Sequence, residues 1–152
     1  MKNIILITLL LVSFALAQLT TENGYVRADV FESNGEFVIG GDPSGSGEYV
    51  ELTYGFRESY PDPMDEATGW IMYYVDGIYA RTDDELPDCS SSYITGDTVI
   101  CIWDYWEGVS IRQEIIPVSL GLTPGEAELI EFRSVVRSVD STPHNVGCMV
   151  LI

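Results

Sequence analysis

The densest grouping of chemically useful side chains is Trp103-Asp104-Tyr105-Trp106-Glu107, where aromatic faces sit beside carboxylates. Aromatic rings stack on the apolar faces of sugars, and carboxylates accept hydrogen bonds from sugar hydroxyls. Trp103, Asp104, Tyr105 and Trp106 are therefore the candidate carbohydrate-binding residues. In an extended strand successive side chains point to opposite faces, so Trp103 and Tyr105 share one face while Asp104 and Trp106 share the other. One face must be core. Half the motif at most can meet a ligand, and core packing is the simpler account of the tryptophans. A glycosidase needs two carboxylates at a set separation, and with 24 acidic residues spacing cannot choose the pair.

Carboxylates also suit a hard cation. Asp62, Asp65 and Glu66 form one acidic loop cluster, and Asp83, Asp84, Glu85 and Asp88 a second. Calcium takes oxygen ligands of this kind from loops. Neither cluster follows the EF-hand spacing, and solvated loop charge is the plainer reading. Soft-metal sites are nearly excluded, because one histidine and three scattered cysteines offer no C-x-x-C or H-x-x-x-H pattern. Calcium is the only cofactor for which the sequence offers ligands.

Nucleophilic catalysis fares no better. His144 follows Pro143 in a turn, where a histidine bonding the backbone is the commoner case than a general base. No nucleophile turn lies near it. The glycine-rich stretch from Gly40 to Glu48 lacks the Lys-Ser/Thr of a phosphate loop and does not fit a nucleophile elbow; it reads as a flexible loop. No catalytic residue can be named. Of the three cysteines, Cys89 and Cys101 are placed to staple a short loop to the following strand as a disulfide. Cys148 lies in an apolar run and reads as a buried thiol, a free one, one paired between chains, or one whose partner lies outside this sequence.

The elements that must position these groups are strands. Residues 1–17 are set apart first: Lys2, an apolar core from Ile4 to Phe14, and Ala15-Leu16-Ala17 have the form of a signal peptide. The core is shorter than the roughly 20 residues that span a bilayer. The mature chain then begins near Gln18, is secreted or held in the cell envelope, and has no membrane span. About 135 residues remain, enough for one domain with its own core. The formal net charge is −17, and the only lysine, Lys2, leaves with the leader. A surface this acidic repels phosphate backbones and anionic lipids, which excludes nucleic acid as a partner.

Along residues 18–152 no apolar period of 3.6 is sustained. Gln18 to Asn23 reads as a frayed start. Ser33-Asn34-Gly35 and Asp76-Gly77 sit between apolar runs as hairpin turns. Strands are expected over Tyr25–Phe31, Glu36–Ile39, Tyr49–Tyr54, Trp70–Val75, Ile78–Ala80 and Thr98–Trp106, with three more between Val109 and Ile152. Eight or nine strands without a helix predict an all-β antiparallel β-sandwich.

The last of these stretches carries a resemblance. Glu131 to Ile152 contains Asp140-Ser141-Thr142 followed by His144-Asn145-Val146-Gly147, with Ile111-x-Gln113 as an earlier strand signature. It resembles part of the galactose-mutarotase-like supersandwich modules of exported bacterial proteins. The resemblance implies a sandwich in a secreted or envelope protein, sometimes attached to sugar-active domains, and hands over no catalytic residue. In such modules further strands follow, whereas this chain stops at Cys148-Met149-Val150-Leu151-Ile152, so truncation at the C-terminus is expected. The leading expectation is an exported, non-catalytic β-sandwich module whose partners are glycan or other envelope proteins. Two alternatives stand beside it: the first part of a carbohydrate-active enzyme, and a calcium-stabilised adhesion module.

Overall fold

The computed structural model describes residues 18–53, 69–120 and 128–152. Residues 1–17, expected to be a leader, and the cluster Asp62, Asp65 and Glu66 lie outside the described residues. Within them the chain is all β, an antiparallel β-sandwich built of three sheets. The first sheet runs β1 (Gln18–Glu22), β2 (Val26–Phe31), β3 (Phe37–Gly41) and β4 (Val50–Glu51). The second has the order β10 (Glu128–Ser138), β9 (Val109–Ser119), β8 (Thr98–Trp106), β7 (Ser91–Thr95). The third places β5 (Trp70–Val75) between β11 (Val146–Leu151) and β6 (Ile78–Arg81).

The first and third sheets are linked by backbone hydrogen bonds between Phe37 and Gly69, at 2.9 and 3.2 Å. The core lies between this combined layer and the second sheet. Ala28, Val30, Phe37, Ile71, Tyr73 and Val75 face Val99, Trp103, Ile111 and Ile115 there. Alternation in the sequence supplies these residues, most clearly in β9, where every second side chain from Val109 to Pro117 is buried. A buried polar chain crosses the core. Gln113 Nε2 donates to the Gly35 carbonyl at 2.9 Å, and the Tyr73 hydroxyl reaches Gln113 Oε1 at 3.4 Å and Ser134 Oγ at 3.0 Å. Burial pushes the Tyr73 phenol well above its ordinary range, so it stays neutral and serves as a hydrogen-bonding group.

Several local expectations change. The start at Gln18 is not frayed but pairs along its whole length with β2. Of the expected strand Tyr49–Tyr54, Tyr54 lies outside the described residues and only Val50–Glu51 is strand. Leu52 N and Thr53 N then both donate to the Ile39 carbonyl, at 3.0 and 3.1 Å, and Thr53 Oγ1 accepts the Ile39 N–H at 2.7 Å. The glycine-rich loop is held in one shape by the buried Asp42. Its carboxylate accepts bonds from Ser44 N at 2.9 Å, Ser44 Oγ at 2.6 Å and Gly47 N at 2.6 Å. Ser44 foremost holds that carboxyl down to about 2. At the turn after β2 only Gly35 has a positive φ, +72°, and its missing Cβ leaves room for the Trp103 ring. The Asp76-Gly77 turn has positive φ at both positions, 49° and 98°, the type I′ geometry its sequence predicts. Cys148 is exposed, not buried, like most of β11.

Candidate functional site

The Trp103–Trp106 motif folds inward. A bulge between Trp103 and Trp106 breaks the regular alternation, so both indoles turn to the core, 1% and 8% exposed. Trp103 Nε1 donates to the Pro87 carbonyl at 2.8 Å, and its ring packs 6.2 Å from that of Tyr73. Neither tryptophan can stack on a sugar in this fold. Asp104 and Tyr105 remain on the surface together, so neither of the pairs that unbroken alternation predicts, Trp103 with Tyr105 or Asp104 with Trp106, is kept.

The second acidic cluster has an internal cation. Arg81 meets Asp83 at 3.1 Å, Asp84 at 3.5 Å and Glu85 at 3.8 Å, while its guanidinium lies 4.7 Å over the Trp70 ring. Three carboxylates that could ligate calcium are thus gathered round a guanidinium, and Asp88 is exposed outside that group. Among the described residues no group of three or more His, Cys, Asp and Glu side chains is arranged to hold a metal ion. Cys89 and Cys101 are both free thiols, Cys101 buried and Cys89 partly so.

Two features that sequence reasoning missed lie at one end of the third sheet. The first is a clasp round His144. Its Nδ1 is 2.6 Å from Asp76 Oδ2, and its Nε2 is 2.9 Å from Asp140 Oδ1 and 3.0 Å from Thr142 Oγ1. Asp76 Oδ1 also accepts the Asn145 N–H at 2.8 Å, and the Asp76 N–H donates to the Asn145 carbonyl at 3.0 Å. A third turn closes the group, since Val139 N donates to the Gly108 carbonyl at 2.9 Å. A Cβ on Gly108 would stand 2.5 Å from Asp140 Oδ2 and 2.8 Å from His144 Cε1. Three turns, far apart in sequence, therefore converge on one imidazole.

A carboxylate on each ring nitrogen decides the chemistry. Both nitrogens must donate, which is the imidazolium form. Asp140 foremost, then Asp76, raises the histidine above its ordinary 6.5. The Asn145 N–H, followed by His144, lowers Asp76, and the Thr142 hydroxyl, followed by His144, lowers Asp140. Thr142, His144 and Asp76 superficially line up as hydroxyl, imidazole and carboxylate. Asp140, however, accepts the Thr142 hydroxyl at 2.6 Å and keeps the ring protonated, and an imidazolium cannot take a proton from a nucleophile. The group fastens; it does not act as a base. Its histidine is held by side chains, where a backbone partner is expected from the turn.

The second feature is the outer face of the sheet that this clasp completes. Trp70, Met72 and Tyr74 alternate on β5 with the buried Ile71, Tyr73 and Val75. Register brings Tyr79 beside Tyr74 and Arg81 beside Met72 on one flank, and Gly147 and Met149 on the other. The Tyr74 and Tyr79 rings lie 5.0 Å apart and Tyr79 is 62% exposed. Gly147, with no side chain, leaves that flank of Tyr74 uncovered. From Trp70 to Tyr74 is four residues of strand, roughly 13 Å. An aromatic surface of that length is bordered by Asp83, Asp84 and Glu85, held at the Arg81 end.

No family model, no curated protein and no solved structure matches the chain. Among the described residues no helix is long and apolar enough to cross a membrane.

Proposed function

We propose that this is an exported, non-catalytic β-sandwich module that binds an extended glycan on the outer face of the β11-β5-β6 sheet. The observation that carries the reading is the pair Tyr74 and Tyr79 on the solvent side of that sheet, with carboxylates at its border and Trp70, its ring under the Arg81 guanidinium, at the far end. Ring faces supply the apolar contact a sugar needs, and acidic oxygens accept its hydroxyls. The leader-like residues 1–17 support export. The net charge of −17 favours a neutral or amino sugar over a uronate or sulfated chain. The resemblance of Glu131 to Ile152 to supersandwich modules points the same way.

Calorimetric titration with β-1,4-linked hexasaccharides of glucose, mannose and N-acetylglucosamine tests the reading. At least one binds, and Tyr79→Ala weakens it about tenfold, the loss of one stacked ring at about 1.5 kcal/mol. Tyr105→Ala leaves it unchanged. Absence of binding across the three sugars, or equal affinity in Tyr79→Ala, sinks the proposal.

A further inference from the structure

We propose that the open edge of β10 is a self-association surface, to which a second copy of this chain adds its own β10 antiparallel. β10 ends one side of the second sheet, and among the described residues no strand pairs with its outer edge. It is 11 residues long and has neither a proline nor a bulge against β9, devices that commonly blunt an exposed edge. Val139 N donates to the Gly108 carbonyl at 2.9 Å, and these two residues continue the β10-β9 register. That bond sets the phase of the ladder. Odd-numbered residues from Leu129 to Arg137 turn their backbone groups to β9, and even-numbered ones from Glu128 to Ser138 turn theirs outward. The backbone donors and acceptors of Ile130, Phe132, Ser134 and Val136 therefore form a template for another strand.

Charge selects both the occupant and the register. The outer face of β9 and β10 carries Arg112, Arg133 and Arg137 against Glu114 and Glu131. In a chain whose net charge is −17, this is where two copies repel least. With a two-fold axis at Phe132, Glu131 of each copy stands opposite Arg133 of the other, and Leu129 opposite Val135. Moving the axis by one residue sets Glu131 against Glu131 or Arg133 against Arg133. The axis at Phe132 also matches outward backbone groups with one another, Phe132 with Phe132 and Ile130 with Ser134. The Phe132 ring, 4.5 Å from that of Phe37, then extends the core toward its copy. Beside it a cavity of about 370 Å³, lined in part by Leu52, Leu129 and Ile130, adds apolar surface, and Leu52 is 61% exposed. Two four-stranded sheets become one continuous sheet.

The test is sedimentation velocity of the protein at low and high micromolar concentration, with residue-level hydrogen exchange under the same conditions. A dimer is expected at high concentration, where the amides of Ile130, Phe132, Ser134 and Val136 gain protection. Those of Glu131, Arg133 and Val135 are protected throughout by β9. Glu131→Arg and Arg133→Glu, both at surface side chains, each oppose like charges across the axis and weaken the dimer about tenfold. An equimolar mixture of the two variants regains it as a mixed dimer, since each reversed charge then meets its opposite. A monomer at every concentration overturns the proposal, as does a dimer in which those four amides exchange as in the monomer. Protection of the four that does not depend on concentration means that the chain itself covers the edge, which overturns it as well. A mixture that dimerises no better than either variant alone does the same.

Discussion

His144 Nδ1 lies 2.6 Å from Asp76 Oδ2, and this contact joins residues 68 positions apart in sequence. It fixes where the last strand begins. Asn145 is bonded to Asp76 through its backbone on both sides, and β11 starts one residue later. The clasp therefore sets Gly147 opposite Tyr74 and Met149 opposite Met72, which is the register that completes the aromatic face. A slip of one residue would exchange the two faces of β11.

Replacing His144 by alanine leaves Asp76 and Asp140 facing the space without their shared cation. The melting temperature falls by about 5 °C, a typical loss for a broken hydrogen-bonded network in a domain of this size. Hydrogen exchange shows where: amides of β11 lose protection while those of β8 and β9 keep theirs. Uniform loss across all three strands would contradict the assignment of the clasp to β11.

The clasp also gives stability a pH window. His144 has a raised folded value, so its contribution is complete below its ordinary 6.5 and fades as the pH climbs through that raised value. Asp76 and Asp140 have lowered folded values, so theirs is present above the ordinary 3.8 and is lost as the pH falls below it. Denaturation midpoints of the wild type should peak between these two limits. His144→Asn removes the decline on the alkaline side. Part of the acid decline survives, because Asp42, held down to about 2 by Ser44 and its neighbours, titrates independently of the clasp. An unchanged alkaline limb in His144→Asn speaks against the imidazolium.

Gly108 has a φ of +81° and no room for a side chain beside Asp140 and His144. Gly108→Ala strains the backbone and pushes on both clasp residues, costing about 1–3 kcal/mol by urea denaturation. The corresponding change at Gly77, φ +98° with nothing near its missing Cβ, strains the backbone alone and costs less.

The buried and exposed halves of the aromatic motif separate cleanly. Trp103→Ala costs about 3–5 kcal/mol, as for a large core aromatic. Tyr105→Ala, 66% exposed, changes stability by less than about 0.5 kcal/mol. Equal effects would mean that the bulge does not sort these residues as described.

The sheet class was legible because period-two alternation and turn residues are local signals, as in β9 and at Asp76-Gly77. The inward turn of Trp106 was not, since a bulge adds a residue without announcing itself in residue type. Asp140 and His144 are four apart and visible as a pair, yet Asp76 joins them only through the pairing of β11 with β5. The aromatic face was hidden for another reason: in WIMYYV both alternating sets are apolar or aromatic, so composition cannot tell which side is core. Arg81 likewise looks like one charge in an acidic run until its contacts with Asp83, Asp84 and Trp70 are seen.

The most direct measurement is a ¹H–¹⁵N correlation spectrum of the labelled protein, titrated with the β-1,4-linked hexasaccharides one at a time. The account predicts shifts confined to β5, β6 and β11, led by Tyr74, Tyr79, Gly147 and Met149, while Asp104 and Tyr105 stay still. Shifts centred on Asp104 and Tyr105, or none with any of the three sugars, would contradict it.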